Sequence, residues 1–175
     1  MNLVVSDASP IHYLILINAV SILPRLFSKV IIPEHVITTE LQSTRTPPLV
    51  RTWVSNLPPW VEVRKPAKPE ALHLHIGEEH AIALALEFNA PILLDEKEAR
   101  EVAKDKGLLV IGTVGLIERA AAGNLIDLRE SLSALLKTNM RINRSLIDNA
   151  LKRQAQKRTN TASPGRPGES TQGAN

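Results

Sequence analysis

The chain contains no cysteine in 175 residues, which removes disulfides and thiolate metal sites from consideration. Any metal it holds must sit on carboxylate, imidazole or water, and the lack is compatible with a reducing cytoplasm. Aromatic side chains are scarce: two Trp, two Phe and one Tyr leave few platforms for stacked nucleobases. Trp53 and Trp60, inside a proline-rich stretch, read as packing residues beneath it. Long hydrophobic runs are missing too. The stretch from Tyr13 to Ile22 is broken by Asn18 and Ser21, with no basic start before it and no small-residue cleavage site after it. It reads as a core helix, not as a membrane span or targeting segment. No Gly-x-Gly-x-x-Gly follows the first strand, which disfavours a dinucleotide site of the Rossmann kind. There is no internal repeat.

What is present is enough apolar residue, 43% of the chain, to bury the core of one ordinary domain. The net charge of +3 conceals an asymmetry: residues 137–175 carry eight Lys/Arg against two Asp/Glu, whereas the preceding residues carry thirteen against sixteen. The body is mildly acidic and the tail basic. Beyond Gln156 the chain reads KRTNTASPGRPGESTQGAN, with almost nothing apolar to offset the entropy of ordering. The expected organisation is a domain over residues 1–155 and a disordered basic, polar tail over 156–175. Lys152, Arg153, Lys157 and Arg158 in that region either track phosphates or only keep the molecule soluble.

Along the body, short apolar strands alternate with helical patterns. Leu3–Val5 forms a β-branched run ending in Ser6 and Asp7, with Ser9 as an N-cap and Pro10 as the first helical residue. Ile11–Ala19 and Val20–Phe27 read as short helices, and Val30–Ile32 as a strand. Pro33 is expected to open a helix with Val36, Ile37 and Leu41 inward and Glu40 beside them. Between Ser43 and Pro69, six prolines punctuate a helix near Leu49–Asn56 and a strand at Val61–Val63. Gly77 then admits a helix with Glu78 and Glu79 in its first turn, and Pro91–Leu94 is a buried strand closed by Asp95. Glu96–Lys106 reads as a helix ended by Gly107, Leu108–Ile111 as a strand followed by Gly112 and Thr113, and Leu116–Ala122 as a further helix. Helices at 127–137 and 145–155 complete an α/β sandwich with a mostly parallel central sheet.

Asp7 and Asp95 end strands, Glu40 lies late on a helix and Glu78 opens one. Parallel strands would bring all four to the carboxyl edge of the sheet, where such sheets bind ligands. Four neighbouring carboxylates raise one another's pKa unless cations neutralise them, and carboxylate with water suits Mg²⁺ or Mn²⁺. That chemistry serves phosphodiester hydrolysis. Each acid also has a plainer reading. Asp7 serves equally as a turn residue or cap, Glu78 and Glu79 suit a helix dipole, and Glu40 can reach solvent at a helix end. Glu96 fits a cap or first-turn acid better than a ligand, and His73 and His75, two residues apart, read as surface residues.

These motifs, in order, resemble the PIN-domain nucleases, and among them a PIN-like toxin group. The matching segments are Ser6-Asp7-Ala8-Ser9-Pro10, Gly77-Glu78 with Ala81-Ile82-Ala83-Leu84-Ala85, Leu93-Leu94-Asp95-Glu96 with Arg100, and Gly112-Thr113-Val114-Gly115-Leu116. The similarity covers roughly residues 2–150, and the ordered set is far more specific than any single motif. It implies a three-layer α/β/α PIN-like sandwich that cleaves RNA with Mg²⁺ or Mn²⁺, often as a toxin held by a cognate antitoxin protein and often as a homodimer, with no membrane partner. Position by position it assigns the acids to Asp7, Glu40, Glu78 and Asp95, with Ser9 and Thr113 able to hold a metal water or a phosphate. His80 stands where this group often has a second Glu, and Ala99 where Gly is common. Glu79 takes the place of Glu78 if the helix is turned by one residue. The rival from another class is a catalytically silent PIN-like RNA-binding module, motivated by His80. A phosphoacceptor receiver or haloacid-type phosphatase fits less well, because Asp7 lacks an adjoining acid and a DxD pattern and no Lys ends the strand Leu108–Ile111.

Overall fold

A computed structural model describes residues 3–161 of the chain. Five strands, β1 (Leu3–Ser6), β2 (Lys29–Pro33), β3 (Val61–Arg64), β4 (Ile92–Leu93) and β5 (Val110–Ile111), form one sheet in the order β3-β2-β1-β4-β5. Every pairing is parallel, with Val4 opposite Val30, Ser6 opposite Leu93 and Leu93 opposite Ile111. The run of β-branched residues explains the strands, and their alternation explains the layers. Val4, Val30, Ile32 and Leu93 point into one apolar cluster, and Val5, Ile31, Ile92 and Leu94 into another on the opposite face.

Helices α4 (Ile76–Glu87) and α5 (Lys97–Asp105) cover the second cluster through Ala81, Ile82, Leu84, Ala85, Ala99 and Ala103. The first lies under α1 (Ala8–Leu16), α2 (Leu23–Leu26), α3 (Pro48–Ser55), α6 (Thr113–Ala122), α7 (Leu128–Leu136) and α8 (Arg144–Thr161). The fold is a three-layer α/β/α sandwich. Trp53 and Trp60 pack against the first cluster with ring centroids 5.9 Å apart, as expected of the proline-rich stretch. No single described helix is long and apolar enough to cross a membrane.

Several boundaries differ from the sequence expectation. Pro33 closes β2 instead of opening a helix, and the turn that carries Glu40, Val36–Leu41, is a π-helix. Helix α1 starts at Ala8 with Asp7 at its N-cap position, so Ser9 is no cap and lies inside the first turn. Thr113 opens α6, three residues ahead of Leu116. Helix α8 runs on to Thr161, past the Gln156 at which order was expected to end, while residues 162–175 lie outside the described residues.

The strand order reverses direction between β1 and β4. From β1 the chain proceeds outward through β2 to β3, then returns across the sheet to β4 and β5. Helices following the two central strands diverge to opposite faces, which opens a crevice at their carboxyl ends. Asp7 immediately follows β1, and Asp95 follows β4 by two residues.

Candidate functional site

Asp7 is fixed by the sheet before its carboxylate does anything. Its amide donates to the carbonyl of Leu93 (3.1 Å), tying the end of β1 to β4. The residue is 5% exposed, its side chain makes no capping bond to α1, and Oδ1 is buried without a hydrogen-bond partner. Burial above all, then the charge of Glu40, pushes its carboxyl up to about 8; the Ala8 amide pulls the other way, and Glu78 and Asp95 push further up.

Glu40 and Glu78 reach the same cleft, a space of about 380 Å³ that Asp7 also lines. The π-helical turn brings Glu40 to it, and its backbone carbonyl is held by Thr46 Oγ1 (2.7 Å) and the Ser43 amide (3.3 Å). Glu40 lies against the bare backbone of Gly77, where a Cβ would run into its Oε1 and stand 3.0 Å from Val36 Cγ2. Gly77 is therefore needed for a close approach. Glu78, 5% exposed, accepts the His75 amide on Oε2 (3.1 Å), closing the first turn of α4. Burial raises the pKa of both acids; for Glu40, His35 pulls down before Glu78 pushes up, and for Glu78 the His75 hydrogen bond and charge pull down before Glu96 and Glu98 push up.

Glu79 turns away. Its Oε1 accepts the amides of Leu72 (2.7 Å) and Leu74 (3.3 Å), so it holds the loop ahead of α4. Of the two candidates in that first turn, Glu78 is the one in the cleft. His80 is outside the cleft as well: its ring meets that of His35 edge-on at 5.7 Å. Glu96 occupies the N-cap position of α5 but makes no capping bond with its side chain, and it lines the cleft from the rim.

Asp95 is the most tightly held of the four. Oδ1 accepts the Thr113 amide (2.8 Å), and Oδ2 accepts Thr113 Oγ1 (2.7 Å) and Ser9 Oγ (3.0 Å). Ser9 and Thr113 thus serve Asp95 first. It lines a second, larger cleft of about 670 Å³ that shares Ser9, Tyr13, Glu96 and Asn139 with the first, so the two are continuous. Sequence reasoning missed Tyr13, His12, Asn139 and the position of His75 on the acidic wall. Nothing local marks them, since they arrive from α1, from the α7–α8 connection and from the loop before α4.

Two observations bear on a metal ion. The unpartnered Asp7 Oδ1 and the mutual repulsion of Asp7, Glu40 and Glu78 form the oxygen-rich, electron-rich pocket that a hard divalent cation neutralises. Among the described residues, no three carboxylates or imidazoles stand close enough to cage an ion between them. Mg²⁺ keeps most of its waters and uses one or two carboxylates, so Asp7 would hold it directly and Glu40 and Glu78, which line the same cleft, would accept from its waters.

A family model, DUF3368, described as a PIN domain, matches residues 3–156. A search of curated proteins finds no match. Among solved structures the chain is similar to a PilT N-terminus domain protein from the hyperthermophilic archaeon Sulfolobus solfataricus, with 18% identity, a TM-score of 0.43, and coverage of 82% of this chain and 100% of that one. With the family model running from β1 into α8, the chain belongs to the PIN-domain family.

Proposed function

We propose that this PIN domain is a metal-dependent endoribonuclease, hydrolysing RNA phosphodiester bonds at the cleft that holds Asp7, Glu40 and Glu78, with Asp95 at its border. The observation that carries the reading is the buried Asp7 carboxylate, with an unpartnered Oδ1 and a pKa pushed up to about 8 by burial and by Glu40. An acid kept in that condition at the carboxyl edge of a parallel sheet has little structural use, since it neither caps α1 nor pairs with a cation. When bound, Mg²⁺ or Mn²⁺ would activate water and neutralise the charge of the displaced oxygen. The chain's own part is positioning: Thr113 and Ser9 immobilise Asp95, Gly77 leaves room for Glu40, and His75 anchors Glu78.

Purified protein with Mg²⁺ or Mn²⁺ is expected to cut RNA, EDTA to stop it, and Asp7→Asn to abolish cutting with the fold retained. Equal cleavage by the Asp7→Asn protein sinks the reading. The ordered motif set further supports a role as the toxin of a type II toxin–antitoxin pair, a homodimer acting in the cytoplasm. Growth arrest on expression, relieved by the product of a neighbouring small gene, tests that role.

The competing reading, a catalytically degenerate RNA-binding module, draws on the lack of a ready three-ligand cage among the described residues. Calorimetric titration separates the two. No Mn²⁺ binding at millimolar concentration, with RNA binding that survives EDTA, favours the binding module.

A further inference from the structure

The larger cleft beside Asp95 carries both signs of charge, with Lys97, Arg100 and Arg141 lining it beside Asp95, Glu96 and Glu118. Its floor is Gly112 and the strand β5, and helix α5 contributes Arg100 and Lys97 to one wall while the segment before α8 contributes Arg141. Lys97 is only loosely paired, with Glu101 at 3.8 Å, and the acid on the far wall, Glu118, is occupied by a two-pronged pair with Arg153 at 2.9 Å. Among the described residues, Arg100 and Arg141 form no ion pair with the acids that line the space.

Arg100 is the informative residue. The residue is partly buried, yet among the described residues its side chain makes no hydrogen bond or ion pair. It lies over the backbone of Gly112, where a Cβ would stand 3.2 Å from Arg100 Nη1 and 3.3 Å from Asp95 Oδ1. Arg100 stands near Asp95 but makes no hydrogen bond or ion pair with it, and Asp95 takes its hydrogen bonds from neutral donors instead. Asp95 is already satisfied by the Thr113 amide, Thr113 Oγ1 and Ser9 Oγ. A partly buried arginine lining a cleft without a partner among the described residues is a fork with five donors unused, and its natural complement is a phosphate.

We propose that this cleft holds the phosphodiester adjacent to the one that is cut, with Arg100 as its principal ligand and Lys97 and Arg141 as flanking charges. The inference rests on the nuclease reading above and adds the path of the strand. The chain of RNA passes from the acidic cleft, over the shared rim of Ser9, Tyr13, Glu96 and Asn139, into the larger one, where Arg100 meets it. Backbone charge sets its course, and Tyr13 is the one aromatic side chain lining either cleft besides His12 and His75.

The test is equilibrium binding of a fluorescently labelled single-stranded RNA oligonucleotide to the full-length chain carrying Asp7→Asn, in EDTA, over a range of salt concentrations. Adding Arg100→Ala is expected to weaken binding about tenfold and to flatten the dependence of log K on log salt by about 0.7, the value for one lost phosphate contact on a single strand. Arg100→Lys should keep the salt slope while losing part of the affinity, because it retains the charge without the fork. Gly112→Ala, which crowds Arg100 without removing it, should fall between, and Lys104→Ala, exposed on the same helix, should change nothing. Should Arg100→Ala fail to fold, Arg100→Gln takes its place.

Unchanged affinity and slope in Arg100→Ala overturn the inference, and if the unmutated chain cuts RNA the nuclease reading stands without it. The expected losses in a protein that cuts no RNA with Mg²⁺ or Mn²⁺ leave the phosphate site in place and remove the nuclease reading. Unchanged RNA affinity together with weakened binding of poly-glutamate overturns the inference in favour of a protein carboxylate as the occupant.

Discussion

Asp7 carries a pH signature that separates a site acid from a structural one. Its folded pKa of about 8 lies above the ordinary value of 3.8, so the folded chain without metal binds this proton more tightly than the unfolded chain does. The stabilising contribution is complete below about pH 4 and is lost as pH rises toward 8. Without metal, Asp7→Asn should therefore raise the melting temperature at pH 8, by at least about 2–4 °C for each kcal/mol of relieved strain, and change it little at pH 4. Thermal melts of both proteins in EDTA across that range check it; a parallel shift at both pH values contradicts it. Gly77 gives a second separation. Alanine is the better helix former by roughly 1 kcal/mol, but its Cβ would collide with Glu40 Oε1. Gly77→Ala is expected to lower cleavage more than tenfold while leaving the melting temperature within a few degrees, as steady-state kinetics and calorimetry on one preparation would reveal.

At the scale of the element, the sequence made the sheet and two of the site's acids visible because an apolar strand ending in a charged residue is a pattern that few other structures produce. Leu3–Val5 with Asp7 and Ile92–Leu94 with Asp95 are instances. It could not decide between Glu78 and Glu79. Adjacent helical residues point about 100° apart, and α4 is buried at every position from Ala81 to Ala85, so no apolar stripe fixed its rotation. The π-helical form of Val36–Leu41 was equally hidden, since it differs from an α-helix in hydrogen bonding and not in hydrophobic pattern. Thr113 reads from the resemblance as able to hold a metal water or a phosphate, and its bond to Asp95 is visible only in the register of β5 against β4. Thr113→Val keeps the shape and the amide bond but deletes the 2.7 Å hydroxyl bond to Asp95 Oδ2. The expected loss is about 1–2 kcal/mol of stability in denaturant titration, with a drop in cleavage as Asp95 gains freedom.

At the scale of the molecule, the acids belong to segments spread from the end of β1 to the end of β4 and meet only because the strand order turns between those two strands. Helix α8 braces that arrangement from one side: Ile147 and Ala150 are buried in the first cluster, and Arg153 grips Glu118 on α6. A chain ending before Arg144 should lose cooperative unfolding, or melt at least 5 °C lower, in calorimetry; a melt within 2 °C of the full chain contradicts this. The spacing of the acids also bears on synthesis. Asp95 has no amide or hydroxyl partner on α6 until Thr113 has emerged from the ribosome, and β1 waits through some ninety residues for β4. A nascent chain shorter than that holds only part of the acid cluster, so under the proposed nuclease reading the site would be completed only after most of the message has been read.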